Sequence, residues 1–144
     1  MTEVNKKTVV LGTIGADAHM IGIWVIRKAL EKVGFKVVFL GAVVPQDEFI
    51  NAAKESGASA ILVSSLYGMG VIDCEGMRQN CIESGLSDII LYVGGTLVAP
   101  AEVAKKWQIV HDQFVEMGFN RIFPNDTTTD DIIKCLKEDL QLSE

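Results

Sequence analysis

Asp17 and His19 stand two residues apart in the run Gly12-Thr13-Ile14-Gly15-Ala16-Asp17-Ala18-His19-Met20-Ile21-Gly22. A carboxylate at that separation in a loop can accept the proton of one imidazole nitrogen. This fixes the tautomer, leaves the other nitrogen free for a metal, and makes it a stronger donor. Gly15 and Gly22 bracket the pair and let the backbone pass close to something bulky. Zinc is the weaker reading, because it takes three or four protein ligands and His111 is the only other histidine. His111 lies on a separate amphipathic stretch and reads as an ordinary surface or partner-facing residue. One protein ligand without a second points to a metal that arrives inside its own macrocycle. No serine sits in a nucleophile-elbow motif that would turn the histidine toward acyl chemistry.

The elements that must hold this pair follow from the apolar pattern. Short continuous apolar runs predict strands at Thr8–Gly12, Lys36–Gly41, Ala60–Ser64, Ile89–Gly94 and Arg121–Phe123. Such runs suit strands buried on both faces of a parallel sheet. Stretches of helical period lie between them, at Met20–Val33, Gln46–Ser56, Asp73–Ser84, Ala101–Met117 and Thr129–Leu140. The inner stripes are Ile23, Ile26, Leu30 and Val33 in the first, and Phe49, Ala52 and Ala53 in the second. In the fourth they are Val103, Trp107, Val110, Phe114 and Met117. Gly34, Gly57 and Gly118 mark helix ends, and Thr127 to Thr129 before Asp130 and Asp131 offer a capped, acid-rich start to the last helix.

Five strand–helix units imply right-handed crossovers and an α/β fold, a doubly wound parallel five-stranded sheet of flavodoxin-like order 2-1-3-4-5. Its ligand crevice should lie beyond the carboxyl ends of the strands, where the winding reverses. The segments after the first, third and fourth strands are the Asp17–His19 run, Ser64-Ser65-Leu66-Tyr67-Gly68-Met69-Gly70 and Gly94-Gly95-Thr96. All three should therefore surround one crevice. No linker or repeat divides the chain, so residues 1–144 read as one domain.

Composition narrows the function classes. A net charge of −6 with no basic stripe argues against a nucleic-acid partner. Mean hydropathy is slightly high at +0.28, but no apolar run approaches the roughly 18 residues of a membrane span. The polar start from Met1 to Lys7 lacks the apolar core of a secretory signal, which predicts a cytoplasmic protein. Three cysteines without CxxC spacing give neither a disulfide framework nor a zinc knuckle and read as reduced thiols.

Asp17-Ala18-His19-Met20-Ile21-Gly22 resembles the D-x-H-x-x-G motif of cobalamin-binding domains. Ser64-Ser65-Leu66 and Gly94-Gly95 resemble the accompanying S-x-L and G-G motifs, in order and each after a predicted strand. Over essentially the whole chain the sequence resembles the small subunits of glutamate mutase (methylaspartate mutase). Thr8-Val9-Val10-Leu11-Gly12, Phe49-Ile50-Asn51-Ala52-Ala53, Val63-Ser64-Ser65-Leu66-Tyr67-Gly68, Ile72-Asp73-Cys74-Glu75-Gly76 and Met117-Gly118-Phe119 carry that likeness.

The resemblance implies adenosylcobalamin, with its dimethylbenzimidazole tail off cobalt and buried in the domain. His19 would be the lower axial cobalt ligand and Asp17 its partner. Cofactor contacts would come from Ala16, Ala18, Met20 and Gly22, and from Ser64, Ser65, Leu66, Tyr67 and Gly68. Gly94 and Gly95 would leave room for the tail, and Thr96, Leu97, Val98, Ala99 and Pro100 would flank the nucleotide loop. The Ser64 hydroxyl would donate to the free benzimidazole nitrogen.

Substrate groups are scarce, since Arg27, Arg78 and Arg121 fall on helices or a strand start rather than in the crevice segments. The resemblance supplies them on a larger catalytic barrel subunit, in a heterotetramer. There a cobalt–carbon homolysis would start the rearrangement between L-glutamate and threo-3-methylaspartate. Ala16 and Thr96 depart from the family's usual hydroxyl residue and asparagine, and Ala99–Trp107 is slightly long, which leaves open a related mutase of other substrate. A corrinoid carrier of a methyltransferase system is a further alternative, although such proteins usually carry a helical cap ahead of this core. A phosphoacceptor receiver on the same fold would want an aspartate where Ser64-Ser65 stands.

Overall fold

A computed structural model describes residues 7–15, 20–66, 70–124 and 126–142. The strands are β1 (Thr8–Ile14), β2 (Lys36–Val44), β3 (Ala60–Leu66), β4 (Ile90–Thr96) and β5 (Arg121–Ile122). All pair in parallel in the order β2-β1-β3-β4-β5, as the alternating pattern predicts. The helices are α1 (Met20–Lys32), α2 (Gln46–Ser56), α3 (Gly70–Asp73), α4 (Met77–Glu83), α5 (Val103–Glu116) and α6 (Thr129–Asp139). Period-2 alternation sends successive side chains to opposite faces. Val10, Ile61, Val63, Leu91 and Val93 meet Phe49, Met77, Cys81 and Phe114 of α2, α4 and α5 on one face. Val9, Leu11, Leu62 and Tyr92 meet Ile23 and Leu30 of α1 and Ile132 and Leu136 of α6 on the other.

Several boundaries differ from expectation for identifiable reasons. The helix expected over Asp73–Ser84 starts only at Met77, after the short α3 has ended at Asp73, because Gly76 takes a left-handed φ of 77°. The helix expected from Ala101 opens with a 3₁₀ turn, Pro100–Glu102, before Val103. Val103, expected in the inner stripe, is exposed as the first residue of α5. Val33 is exposed too, in the turn after α1. β2 is not buried on both faces: as an edge strand it is mostly half-buried.

β2 also runs on to Val44 through an irregularity that pairs Gly12 with Gly41 and Ile14 with Val44. Val43 is forced to a φ of 57° there, and its N–H donates to Thr13 Oγ1 at 3.1 Å. The start of α6 behaves as predicted. Thr128 accepts from Asp131 N at 3.1 Å while Asp131 Oδ2 accepts from Thr128 N at 3.3 Å, a reciprocal capping box. Among the described residues no helix is long and apolar enough to cross a membrane.

Candidate cofactor-binding site

β3 and β4 pair Ser64 with Gly94, Ser65 with Gly95 and Leu66 with Thr96, so the second and third motifs lie side by side at the carboxyl end of the sheet. Here the strands run out of large side chains. On the face covered by α1 and α6 the alternation passes from Leu62 to Ser64 and from Tyr92 to Gly94, leaving little to fill the space under the helices. The result is a crevice of about 330 Å³. Leu62 and Tyr92 form its floor, Gly22 and Ile26 of α1 one wall, and Phe123 and Ile132 the other. Its lining is mainly apolar, with the hydroxyls of Ser64, Thr127 and Thr129 as the side-chain polar groups apart from the Tyr92 phenol.

The two glycines differ in kind. A Cβ on Gly95, whose φ is 101°, would stand 2.6 Å from Ser65 O and 2.9 Å from Ser64 Oγ, so the protein itself excludes a side chain there. A Cβ on Gly94 would meet nothing nearer than Phe123 Cβ at 3.5 Å, an ordinary contact. The protein's own packing therefore does not require Gly94 to be bare. Gly22 has nothing within 4 Å of where its Cβ would be.

The structure thus brings Gly22, Ser64, Gly94 and Gly95 together in one crevice. It does not bring all the predicted residues there. Ser65 points away and is buried within the fold. Thr96 is half-buried at the end of β4, and Ala99 precedes the 3₁₀ turn. Leu97 and Val98 line a separate hollow of about 270 Å³ with Val103, Trp107, Pro124 and Asp126. Pro124 borders both spaces. Ala16, Asp17, Ala18, His19, Tyr67 and Gly68 lie outside the described residues; for Met20, Leu66 and Pro100 the described part is the backbone.

Sequence reasoning missed Ile26, Leu62, Tyr92, Phe123, Thr129 and Ile132. Strand parity could have found Leu62 and Tyr92, which share a face with Ser64 and Gly94.

Around the floor the electrostatics are settled. Tyr92 Oη donates to Asp139 Oδ2 at 2.5 Å, and Arg121 holds the same carboxylate through Nε at 2.8 Å and Nη2 at 2.9 Å. The Arg121 hydrogen bond, helped by Tyr92, draws the Asp139 carboxyl below its ordinary range. Burial and the bond to Asp139 push the Tyr92 phenol up, so it stays protonated. Cys74, Cys81 and Cys135 are free thiols, as expected. Burial, with the Asp73 charge adding, pushes Cys74 up to about 12, which makes it inert. Among the described residues no cluster of three metal-ligating side chains exists. Arg78 is spent on structure, donating to the carbonyls of Gly118, Ser87 and Ile89.

A mainly apolar slot with a few hydroxyls, set at the carboxyl ends of the strands, suits a flat heterocycle on a flexible tether. The class so defined is the B12-binding domain, and the family model described as "B12 binding domain" matches residues 7–117. The fold is also that of a cobalamin-binding protein from Desulfitobacterium hafniense, with a TM-score of 0.75 at 22% identity over 94% of this chain. This chain spans 59% of that one.

Within the class, the glutamate mutase sigma subunit of Carboxydothermus hydrogenoformans is 51% identical over 99% of both chains. That of Fusobacterium nucleatum is 46% identical over 95% of this chain and 98% of its own. This chain belongs to the family of glutamate mutase sigma subunits.

Proposed function

We propose that this chain, as a single domain over residues 1–144, is the cofactor-binding subunit of an adenosylcobalamin-dependent mutase. With a larger catalytic barrel subunit, in a cytoplasmic heterotetramer, it serves the interconversion of L-glutamate and threo-3-methylaspartate. The observation that carries this reading is the crevice in which Ser64, Gly94 and Gly95, predicted from sequence, face apolar walls large enough for a nucleotide base. His19 would hold the cobalt, and Asp17 would keep the proton on the other ring nitrogen. Ser64 Oγ would donate to the ring nitrogen of the dimethylbenzimidazole tail, which would otherwise be buried unpaired at a cost of about 1–3 kcal/mol.

The bound cofactor supplies the radical chemistry, while the protein supplies ligation, orientation and exclusion of water. Leu62, Ile26 and Ile132 keep the tail dry, and Gly94 leaves it space. The crevice presents no arginine for a dicarboxylate: Arg78 is occupied by carbonyls and Arg121 by Asp139. That division supports substrate recognition on the partner. An absorbance titration with adenosylcobalamin, followed by assay with a glutamate mutase large subunit and glutamate, tests the reading. His19→Ala should lose cobalt ligation and turnover while keeping the fold; unchanged cobalamin spectrum and unchanged rate would refute it. Asp17→Asn should keep ligation but lower affinity or activity about 10–100-fold.

A further inference from the structure

The wall of the crevice formed by α6 is held from its far end. Thr129 and Ile132, in its first turns, line the crevice, whereas Asp139 is its last residue. An eleven-residue helix is a rod of about 16 Å. Between its ends α6 touches the sheet through Ile132, Ile133 and Leu136. Apolar contacts of this kind set a distance but little direction. Beneath α6 at the sheet's edge is β5, only two residues long, so the strand offers a narrow seat.

Directional bonds come at Asp139. Its carboxylate takes both Arg121 nitrogens and the Tyr92 hydroxyl, while Arg121 Nη2 also reaches Glu138 Oε1 at 3.4 Å. Tyr92 and Arg121 are register partners on β4 and β5, so the lock grips two adjacent strands at once. The Tyr92 ring that makes this bond is also the crevice floor, steadied edge-on by Phe123 at 5.1 Å between centroids.

We propose that Asp139 and Arg121 are positioning residues that set the width of the crevice by fixing the tilt of α6 and the plane of the Tyr92 ring. This rests on the reading that the crevice takes the nucleotide tail, and it assigns tail affinity to a pair remote from the cofactor. The relevant probes are cobalamin and cobinamide, the same corrin without the nucleotide tail, each titrated into the full chain by absorbance. Wild type should bind cobalamin more tightly than cobinamide. Asp139→Ala should weaken cobalamin about tenfold, the equivalent of one hydrogen-bond lock, and leave cobinamide unchanged.

Tyr92→Phe guards against a variant that fails to fold. It keeps the ring and the Asp139–Arg121 pair and leaves no buried hydroxyl orphaned, and it should shift cobalamin the same way by a smaller factor. A parallel loss for both corrinoids would mean a general structural role and overturn the inference. So would variants that keep the full cobalamin preference of wild type. A wild type that binds the two corrinoids equally would remove the reading of the crevice, and this inference with it.

Discussion

The two faces of the sheet use the same strands and end differently. On the α2–α5 face, Phe49, Met77, Cys81 and Phe114 are wholly buried, and the hollow at Leu97 and Trp107 lies beyond them. On the α1–α6 face the packing of Val9, Leu11, Leu30, Leu62 and Tyr92 is equally dense at the amino end. It stops where β3 reaches Ser64 and β4 reaches Gly94. The α1–α6 face therefore gives up side-chain volume at one end, where the proposed site lies. A close-packed interior feels the loss of a single methylene, so a crevice lined by Leu62, Tyr92 and Ile132 is a local departure from the packing beneath it.

The sharpest way to break that contrast is to cut into the filled face. Phe114→Ala should cost about 3–5 kcal/mol in urea unfolding, while the fraction that remains folded binds cobalamin with unchanged affinity. A loss of affinity in the folded fraction would mean the faces are not independent. The paired glycines come next. Gly95→Ala meets Ser65 O and a left-handed φ, and should destabilise by about 1–3 kcal/mol. Gly94→Ala has room for its Cβ and should leave stability within about 1 kcal/mol, yet lower cobalamin affinity about tenfold through overpacking on the ligand. If both variants behaved alike, the distinction between fold glycine and ligand glycine would fail.

Ser64→Ala should weaken cobalamin by about 1–3 kcal/mol at unchanged unfolding midpoint, measured by the same titration; cobinamide binding should not move. Smallest is the acid response of the Asp139 lock. Its carboxyl is held below its unfolded value, so its contribution is complete above the unfolded carboxylate pKa of about 3.9. It is lost as the pH falls through the lower folded value. The gap in urea midpoint between wild type and Asp139→Asn should be constant from pH 7 to pH 5 and close below pH 4. A gap that did not shrink at all as the pH fell below 4 would show that the ionised carboxylate is not its source.

Much of the site was legible because motif residues follow strands. Ser64 and Gly94 could be placed at strand ends from apolar runs alone, and strand order 2-1-3-4-5 then put them side by side. Ser65, Leu97 and Val98 were placed with them, and the structure separates them. Ser65 is one residue out of phase with Ser64 and so faces the other way, and Leu97 and Val98 turn under Trp107 instead. The helix expected from Asp73 starts only at Met77, since a left-handed residue overrides the apolar period around it.

Local chemistry in the chain determined the element types, the βα order and the identity of the residues beside the crevice, because periodicity, caps and glycines act over a few neighbours. Tertiary structure alone decided that the crevice has an α6 wall, that Tyr92 floors it, and that Asp139 and Arg121 meet beneath it. Those contacts join residues 18 to 47 positions apart in the chain. Their geometry depends on how a helix settles on a sheet, which no local pattern encodes.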